Sequence, residues 1–351
     1  MIVKLRMTES KNALPLILIF LLCYGLFSSC SDENPIVHSN DPVIVDSNYF
    51  NWKFDTLQIM PSLGMYIADT NSIFIPGNHY MMYINNGPVK YKSYNDNDFA
   101  GWCIAGTSIN NVYIGGSSIT LNRTKLKRWD GTVIRDIAMP IDTSTYIVTI
   151  EPISENELWI STTKNIIYHY LNNSFTTYRL DSNLVDGLIY KDNVGGLYAS
   201  LTKFYYGLNA HLNYMFKFEN NSWVEVSKDS VSVNSEMQDI IGFSDNKMLR
   251  SGKTGLYCFT GSTWEKYVNL PNSLSGILRC SGRDAKSVLF QADEDHQSYL
   301  FYYDGTQFYR ISNYVFPYLG LESLQYKFGR YYITTGEDFL GNSFFYTAKF
   351  K

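Results

Sequence analysis

The chain has 351 residues, 45% hydrophobic and 18% charged, which is enough to bury a large core and is not a disorder-type composition. Its formal net charge is −4; residues 1–29 carry Lys4, Arg6 and Lys11 against Glu9, so the chain without them stands at −6. That acidic balance argues against a nucleic-acid partner, which normally needs a basic stripe.

Aromatic residues make up 16% of the chain, with 29 Tyr and 21 Phe. Such residues suit a pleated, half-buried surface, and no stretch keeps a 3.6-residue apolar period, so the expectation is an all-β chain.

At the N-terminus Lys4, Arg6 and Lys11 precede an apolar run of 15 residues, Ala13 to Phe27. The run is short for a spanning helix and right for a signal-peptide core. Phe27-Ser28-Ser29-Cys30 follows, and then the polar, acidic Ser31-Asp32-Glu33-Asn34. This order resembles the lipobox of bacterial lipoproteins, with Phe27 at the usual leucine position and Leu26 one further back. The acidic stretch resembles the surface-export signal of Bacteroidota-type lipoproteins. The resemblance implies a signal peptide over residues 1–29, acylation (palmitate) of Cys30 and a lipid-anchored place on the outer membrane, exposed at the cell surface. An ordinary secretory peptide cleaved near Ser29 is the other reading. Residues 30–47 are expected to be the lipidated cysteine and a flexible tether, with two prolines and no strand period. The propeller domain described next is expected over 48–351.

A strand centre recurs along this domain: Phe74, Tyr113, Trp159, Tyr198, Leu249, Leu289 and Tyr332, at steps of 39, 46, 39, 51, 40 and 43 residues. A period near 43 is that of propeller blades. Each centre follows a turn, such as Asp69-Thr70-Asn71, Asn110-Asn111 or Gly282-Arg283-Asp284. A second turn comes later in the unit: Asn85-Asn86-Gly87, Asp130-Gly131, Asn172-Asn173, Asn220-Asn221, Gly261-Ser262 and Asp304-Gly305. These residues tolerate positive φ or bond their own backbone, so they make tight hairpins. One blade is therefore four antiparallel strands, A to D. The last unit ends with Phe344 to Phe350, and Tyr49 to Thr56 is a strand with no blade of its own. It is expected to pair as the outermost strand of blade seven and close the ring. Without that closure, six or eight blades remain open. The segment Leu158 to Tyr170 resembles the repeats of two-component-regulator propellers, and the period resembles that of WD40 blades.

Cys103, Cys258 and Cys280 fall in predicted strands and read as small buried hydrophobes, with a Cys258–Cys280 disulfide left open. No cofactor or metal is expected, because the five histidines include no two at ligand spacing.

Function is expected on the face that carries the B–C loops and D–A connections, since insertions in repeat folds collect on the binding face. The long B–C loops are Gly116 to Lys125 and Thr202 to Asn213, with Ala292 to Ser298 and Thr335 to Asn342 intermediate. The candidate ligand residues are Asn78 and His79 in blade one, Arg123 in blade two, and Tyr205, Tyr206 and His211 in blade four. Asp295 and His296 in blade six and Glu337 and Asp338 in blade seven complete the set. No catalytic motif stands out. The expectation is a monomeric, non-catalytic binding module for a glycan or an envelope protein. The alternative is a propeller-fold polysaccharide lyase or glycoside hydrolase using Tyr205, His211, Asp295, His296 and Glu337.

Overall fold

The computed structural model describes residues 42–45, 50–57, 61, 64–121, 123–140, 145–192, 195–205, 210–232, 240–242, 248–252, 255–294, 297–315, 321–336 and 343–350. Two strands precede the first repeat, β1 (Val43–Val45) and β2 (Phe50–Leu57). Blade one is β3 (Tyr66–Asp69), β4 (Ser72–Pro76), β5 (Tyr80–Asn85) and β6 (Lys90–Ser93). Blade two is β7 (Ala100–Ser108), β8 (Asn111–Ser117), β9 (Thr124–Trp129) and β10 (Ile134–Ile137). Blade three is β11 (Ile147–Ser154), β12 (Glu157–Thr162), β13 (Ile166–Leu171) and β14 (Ser174–Arg179). Blade four is β15 (Val185–Lys191), β16 (Leu197–Tyr205), β17 (Ala210–Glu219) and β18 (Ser222–Ser232). Blade five is β19 (Ile240–Gly242), β20 (Met248–Gly252), β21 (Gly255–Phe259) and β22 (Trp264–Asn269). Blade six is β23 (Leu274–Asp284), β24 (Ser287–Glu294), β25 (Gln297–Tyr303) and β26 (Phe308–Val315). Blade seven is β27 (Leu321–Lys327), β28 (Arg330–Thr335) and β29 (Ser343–Phe350), with β2 as its outermost strand.

The molecule is a seven-bladed β-propeller of four-stranded antiparallel blades, one of which carries an added fifth strand. All seven aromatic or apolar centres read from the sequence lie in the second strand of a blade, and the first strands contact one another around the central channel. Register confirms the closure: Phe50 pairs with Phe350 and Leu57 with Ser343. Gln325 Nε2 and Lys327 Nζ of blade seven then donate to the Met65 and Ile67 carbonyls of blade one, both at 2.8 Å. Closed in this way, the ring leaves no blade face bare.

The C–D turns follow from their residues. Asn172, Asn173, Asn220 and Asn221 all have positive φ, between 49° and 66°, the conformation that a two-residue hairpin requires. In the Asp-Gly turns the aspartate does the same work twice. Asp130 Oδ1 accepts from the Thr132 and Val133 amides, and Asp304 Oδ1 accepts from the Thr306 and Gln307 amides. The bonds to the Asp130 carboxyl hold it down to about 2.

Register corrects the loop and turn readings of blades four and six. Blade four has no long B–C loop, because β16 and β17 stay paired from Tyr198↔Lys217 out to Tyr205↔Ala210. Its Thr, Phe and Tyr residues extend the ladder, as their β-propensity favours. Blade six behaves alike: Asp293 pairs with Ser298 and Glu294 with Gln297. Its A–B turn is Ala285-Lys286, since β23 continues through Asp284. Within the stretch expected to be a tether, Val43–Val45 form β1, which pairs parallel with β26 and makes blade six five-stranded.

Cys103 and Cys280 are buried and Cys258 partly so, all as thiols. Burial pushes the Cys103 thiol up to about 12, so it packs as a small apolar group. His169 is a packed side chain in β13: its ring stacks on Trp159 at 4.1 Å, and its Nε2 lies 3.0 Å from Glu157 Oε1.

Candidate functional site

The B–C loops and D–A connections open on one face, and in blades one and two the chain weaves them together. The connection from β6 to β7, residues 94–99, is the thread. The Tyr94 amide donates to the His79 carbonyl at 3.0 Å, and the His79 amide donates to the Phe99 carbonyl at 3.2 Å. Both bonds hold His79 in the left-handed region, at φ 63°. Asn78 bridges to Ala100. On its other side the thread meets the blade-two loop 118–123. Asp98 accepts from the Ser118 hydroxyl (2.6 Å), from the Thr120 amide and hydroxyl (2.8 Å each) and from Lys125 Nζ (3.2 Å). The Ser118 amide closes the loop on the Arg123 carbonyl at 2.8 Å.

Charge rigidifies this frame. Lys125 Nζ reaches Asp96 at 3.0 Å as well as Asp98, and the buried Lys127 reaches Asp96 at 3.0 Å and also pairs with Asp136. The Ser118 and Thr120 hydrogen bonds, with help from Lys125, hold the Asp98 carboxyl well below the usual range. Desolvation pulls Asp96 upward, but its bonds to Lys125 and Lys127 win and leave it lowered. Lys125, which solubility alone would explain in the sequence, is thus a strut between the two loops.

A β-bulge then turns an aromatic outward. Gly101 pairs with Gly116 and Cys103 with Gly115, so Trp102 has no residue opposite it. Trp102 is 38% exposed, donates from Nε1 to Ser117 Oγ at 3.0 Å, and meets the Tyr146 ring at 6.4 Å. Glycine opposite the bulge is required: a Cβ on Gly116 would lie 2.0 Å from the Ala100 carbonyl oxygen and 2.6 Å from the Phe99 ring. Ile119 and Leu121 stand on the adjoining loop, 48% and 58% exposed. Tyr80, at the start of β5, is 41% exposed. Among the described residues, the exposed large apolar side chains on this face are these four, all in blades one and two.

Of the residues singled out in the sequence, the structure brings Asn78, His79 and Arg123 to this frame. Tyr205 and His211 have their backbones in β16 and β17. Their side chains, together with Tyr206, Asp295, His296, Glu337, Asp338 and Cys30, lie outside the described residues. Sequence reasoning missed Trp102, Ile119, Leu121 and Asp98. The Ser-Ser-Ile-Thr-Leu run at 117–121 was a signal for an apolar loop tip, but no local pattern shows that Trp102 is bulged outward.

No family model matches the chain, and no curated protein does. Among solved structures the chain is similar to YCF48 bound to D1 peptide, with a TM-score of 0.66 and 14% identity over 87% of this chain and 99% of that one. It is also similar to YCF48 from Cyanidioschyzon merolae, with a TM-score of 0.60 and 13% identity over 84% of this chain and 98% of that one. A third similarity is to the extracellular domain of a hybrid two-component system from B. thetaiotaomicron. There the TM-score is 0.57 and the identity 13%, over 83% of this chain and 40% of that one. At these identities the likeness is one of fold, that of the propeller.

Proposed function

We propose that this protein is a non-catalytic recognition module of the cell envelope, tethered through lipid on Cys30, and that it binds a protein segment through the loop face of blades one and two. The observation that carries the reading is the group of exposed Trp102, Ile119 and Leu121 on a frame pinned by Asp96, Asp98 and Lys125. Exposed apolar side chains on a preorganised surface favour association, because little is left to order on binding. A protein segment suits them better than a glycan. Ile119 and Leu121 offer apolar contact without hydrogen-bonding groups, and a sugar would leave its hydroxyls unmatched there. A propeller of this fold, YCF48, has been solved with a D1 peptide, so the architecture can hold one. The lipoprotein signal read at residues 27–34 supports placement at the outer membrane.

Two experiments test the reading. A photo-crosslinking residue at Leu121 should give a protein adduct in intact cells, while the same residue at Val224 on β18 should not. Equal adducts at both sites, or adducts with polysaccharide alone, would remove the proposed partner class. For the anchor, Cys30→Ala should move the protein out of the membrane fraction, and continued membrane association would defeat the lipid reading.

A further inference from the structure

The face opposite the loops is made of the A–B and C–D turns, and the chain joins the ring from that side. The strand β26 starts at Phe308, just after the Asp304-Gly305 turn. β1 runs parallel to it, with Val43 opposite Tyr309 and Val45 opposite Ile311. Val43 is therefore the end of β1 nearest the turns, and the chain reaches it from the turn side of blade six. The next strand agrees. Phe50 pairs with Phe350, at the end of β29 where the other blades turn from C to D, so β2 also starts on this face. The residues from Cys30 to Pro42 reach at most about 40 Å even when fully extended.

Apolar side chains stand out from the same turns. Ile109 is in the A–B turn of blade two, Val133 in its C–D turn and Leu171 beside the Asn172-Asn173 turn of blade three, and all three are exposed. The two turns of blade two touch. Trp129 Nε1 donates to the Ile109 carbonyl at 3.1 Å, and a Cβ on Gly131 would lie 2.3 Å from Asn110 Oδ1. Phe328, in the A–B turn of blade seven, has φ 50°, a conformation that is costly for a bulky side chain. Among the described residues, the other non-glycine positions with positive φ are six asparagines and His79. An aromatic ring thus stands where asparagine would serve the hairpin with less strain, and strain of this kind points to a use for the side chain. Lys327 Nζ approaches the ring to 5.6 Å, yet Phe328 stays 50% exposed.

We propose that the turn face lies against the lipid surface, with Phe328, Val133, Ile109 and Leu171 at headgroup level, so that the loop face of blades one and two points away from the membrane. The inference rests on the lipidated Cys30 proposed above. A short tether that arrives on the turn side keeps this face beside the bilayer, where the high local concentration of lipid lets weak apolar contacts form. A bilayer is flat, so side chains spread over several blades of one face can meet it together without converging on a point. Charge in the same turns sets the depth. The Asp130 and Asp304 carboxyls, both held down to about 2 by bonds within their turns, stay ionised and keep the tips out of the hydrocarbon.

The test uses the full lipidated chain in phosphatidylethanolamine–phosphatidylglycerol vesicles. A thiol-reactive fluorophore is placed on Val133→Cys, Phe328→Cys or Leu121→Cys, with labelled wild type as background, and quenching by a headgroup spin-labelled lipid is read at each. Flotation with the vesicles comes first: a chain that does not float lacks the Cys30 anchor, and the orientation falls with it. In a floating chain, quenching at positions 133 and 328 should exceed that at 121 by about threefold or more. Equal quenching at the three positions, or stronger quenching at 121, would overturn the orientation while the anchor stands. Phe328→Asn gives a second readout. It should leave the melting temperature unchanged or raised, since asparagine suits positive φ, and should lower quenching at position 133 by about twofold. A lowered melting temperature with unchanged quenching would show that Phe328 serves the fold alone and would overturn its place in the contact.

Discussion

The seams between blades and the wall of the central channel are built around the same inner strands, yet their chemistry is opposite. In the seams, second-strand residues such as Tyr113, Phe290 and Tyr332 are fully buried against the next sheet. Two tyrosines of these second strands find backbone in the neighbouring blade. The Tyr113 hydroxyl donates to the Glu155 carbonyl at 2.6 Å, and the Tyr331 hydroxyl donates to the Ser287 carbonyl at 3.2 Å. The inner strands instead carry charge: the Glu151 carboxyl feels Lys191 and Lys327, and the Glu322 carboxyl feels Arg279. Burial raises Glu151 to about 7, with Lys191 and Lys327 pulling the other way. The seams hold the ring together, while the inner strands tolerate charge whose burial costs stability.

Emptying a seam should have the largest effect. Phe290 stacks on Phe301 at 5.5 Å and meets Phe308 edge-on at 5.7 Å. Phe290→Ala should destabilise by about 3–5 kcal/mol in urea denaturation, since a ring-sized cavity cannot collapse between two fixed sheets. A loss under about 1 kcal/mol would mean that the seams repack and are not the rigid part.

A channel substitution should have the opposite sign. Because the folded-state pKa of Glu151 lies above the ordinary 4.5, the folded protein holds this proton more tightly than the unfolded chain does. Stability linked to Glu151 is therefore full below the ordinary carboxylate range and is lost as pH rises toward 7. Glu151→Gln should be neutral near pH 4.5 and stabilise by about 2 kcal/mol near pH 8, the gain being trimmed because Lys327 loses its supporting anion. A pH-independent difference between the two proteins would place Glu151 in ordinary solvent.

The smallest effect tests one seam bond alone. Tyr113→Phe keeps the ring and removes the donor to Glu155, where Asn111 Nδ2 still reaches the same carbonyl at 3.3 Å. The expected loss is about 1 kcal/mol, read as a shift of the urea midpoint at unchanged slope. No shift at all would show that Asn111 alone satisfies the carbonyl.

The blades were legible in the sequence because their signals are local. Phe74 to Tyr332 recur at blade spacing, and Asn172-Asn173 or Asp304-Gly305 prescribe backbone angles that only a hairpin uses. Tyr49 to Thr56 announced the closure because an aromatic strand without partners must find an edge. The loop face was legible as a face, and Asn78, His79 and Arg123 do stand on the blade-one and blade-two frame. Blade four differs from the sequence reading because a paired extension and a long loop look alike in sequence: Gly207 and Asn209 are turn-forming residue types, but nothing local says how far the residues on either side stay paired. The strand β1 was hidden for a related reason: three residues between a proline and an aspartate carry no period of their own, and β26 supplies the ladder.

The repeat, its turns and the ring follow from the amino-acid order alone, as consequences of local dihedral preference and burial. The bulges at Trp102 and Glu322, by contrast, arise only when strands are paired. A bulge is a mismatch of register between two strands, and neither strand records it alone. The same holds for Asp98 on Ser118 and Gln325 on Met65, which join residues 20 and 260 positions apart in the chain. Such contacts exist only once the ring has brought separate turns of the chain within hydrogen-bonding distance.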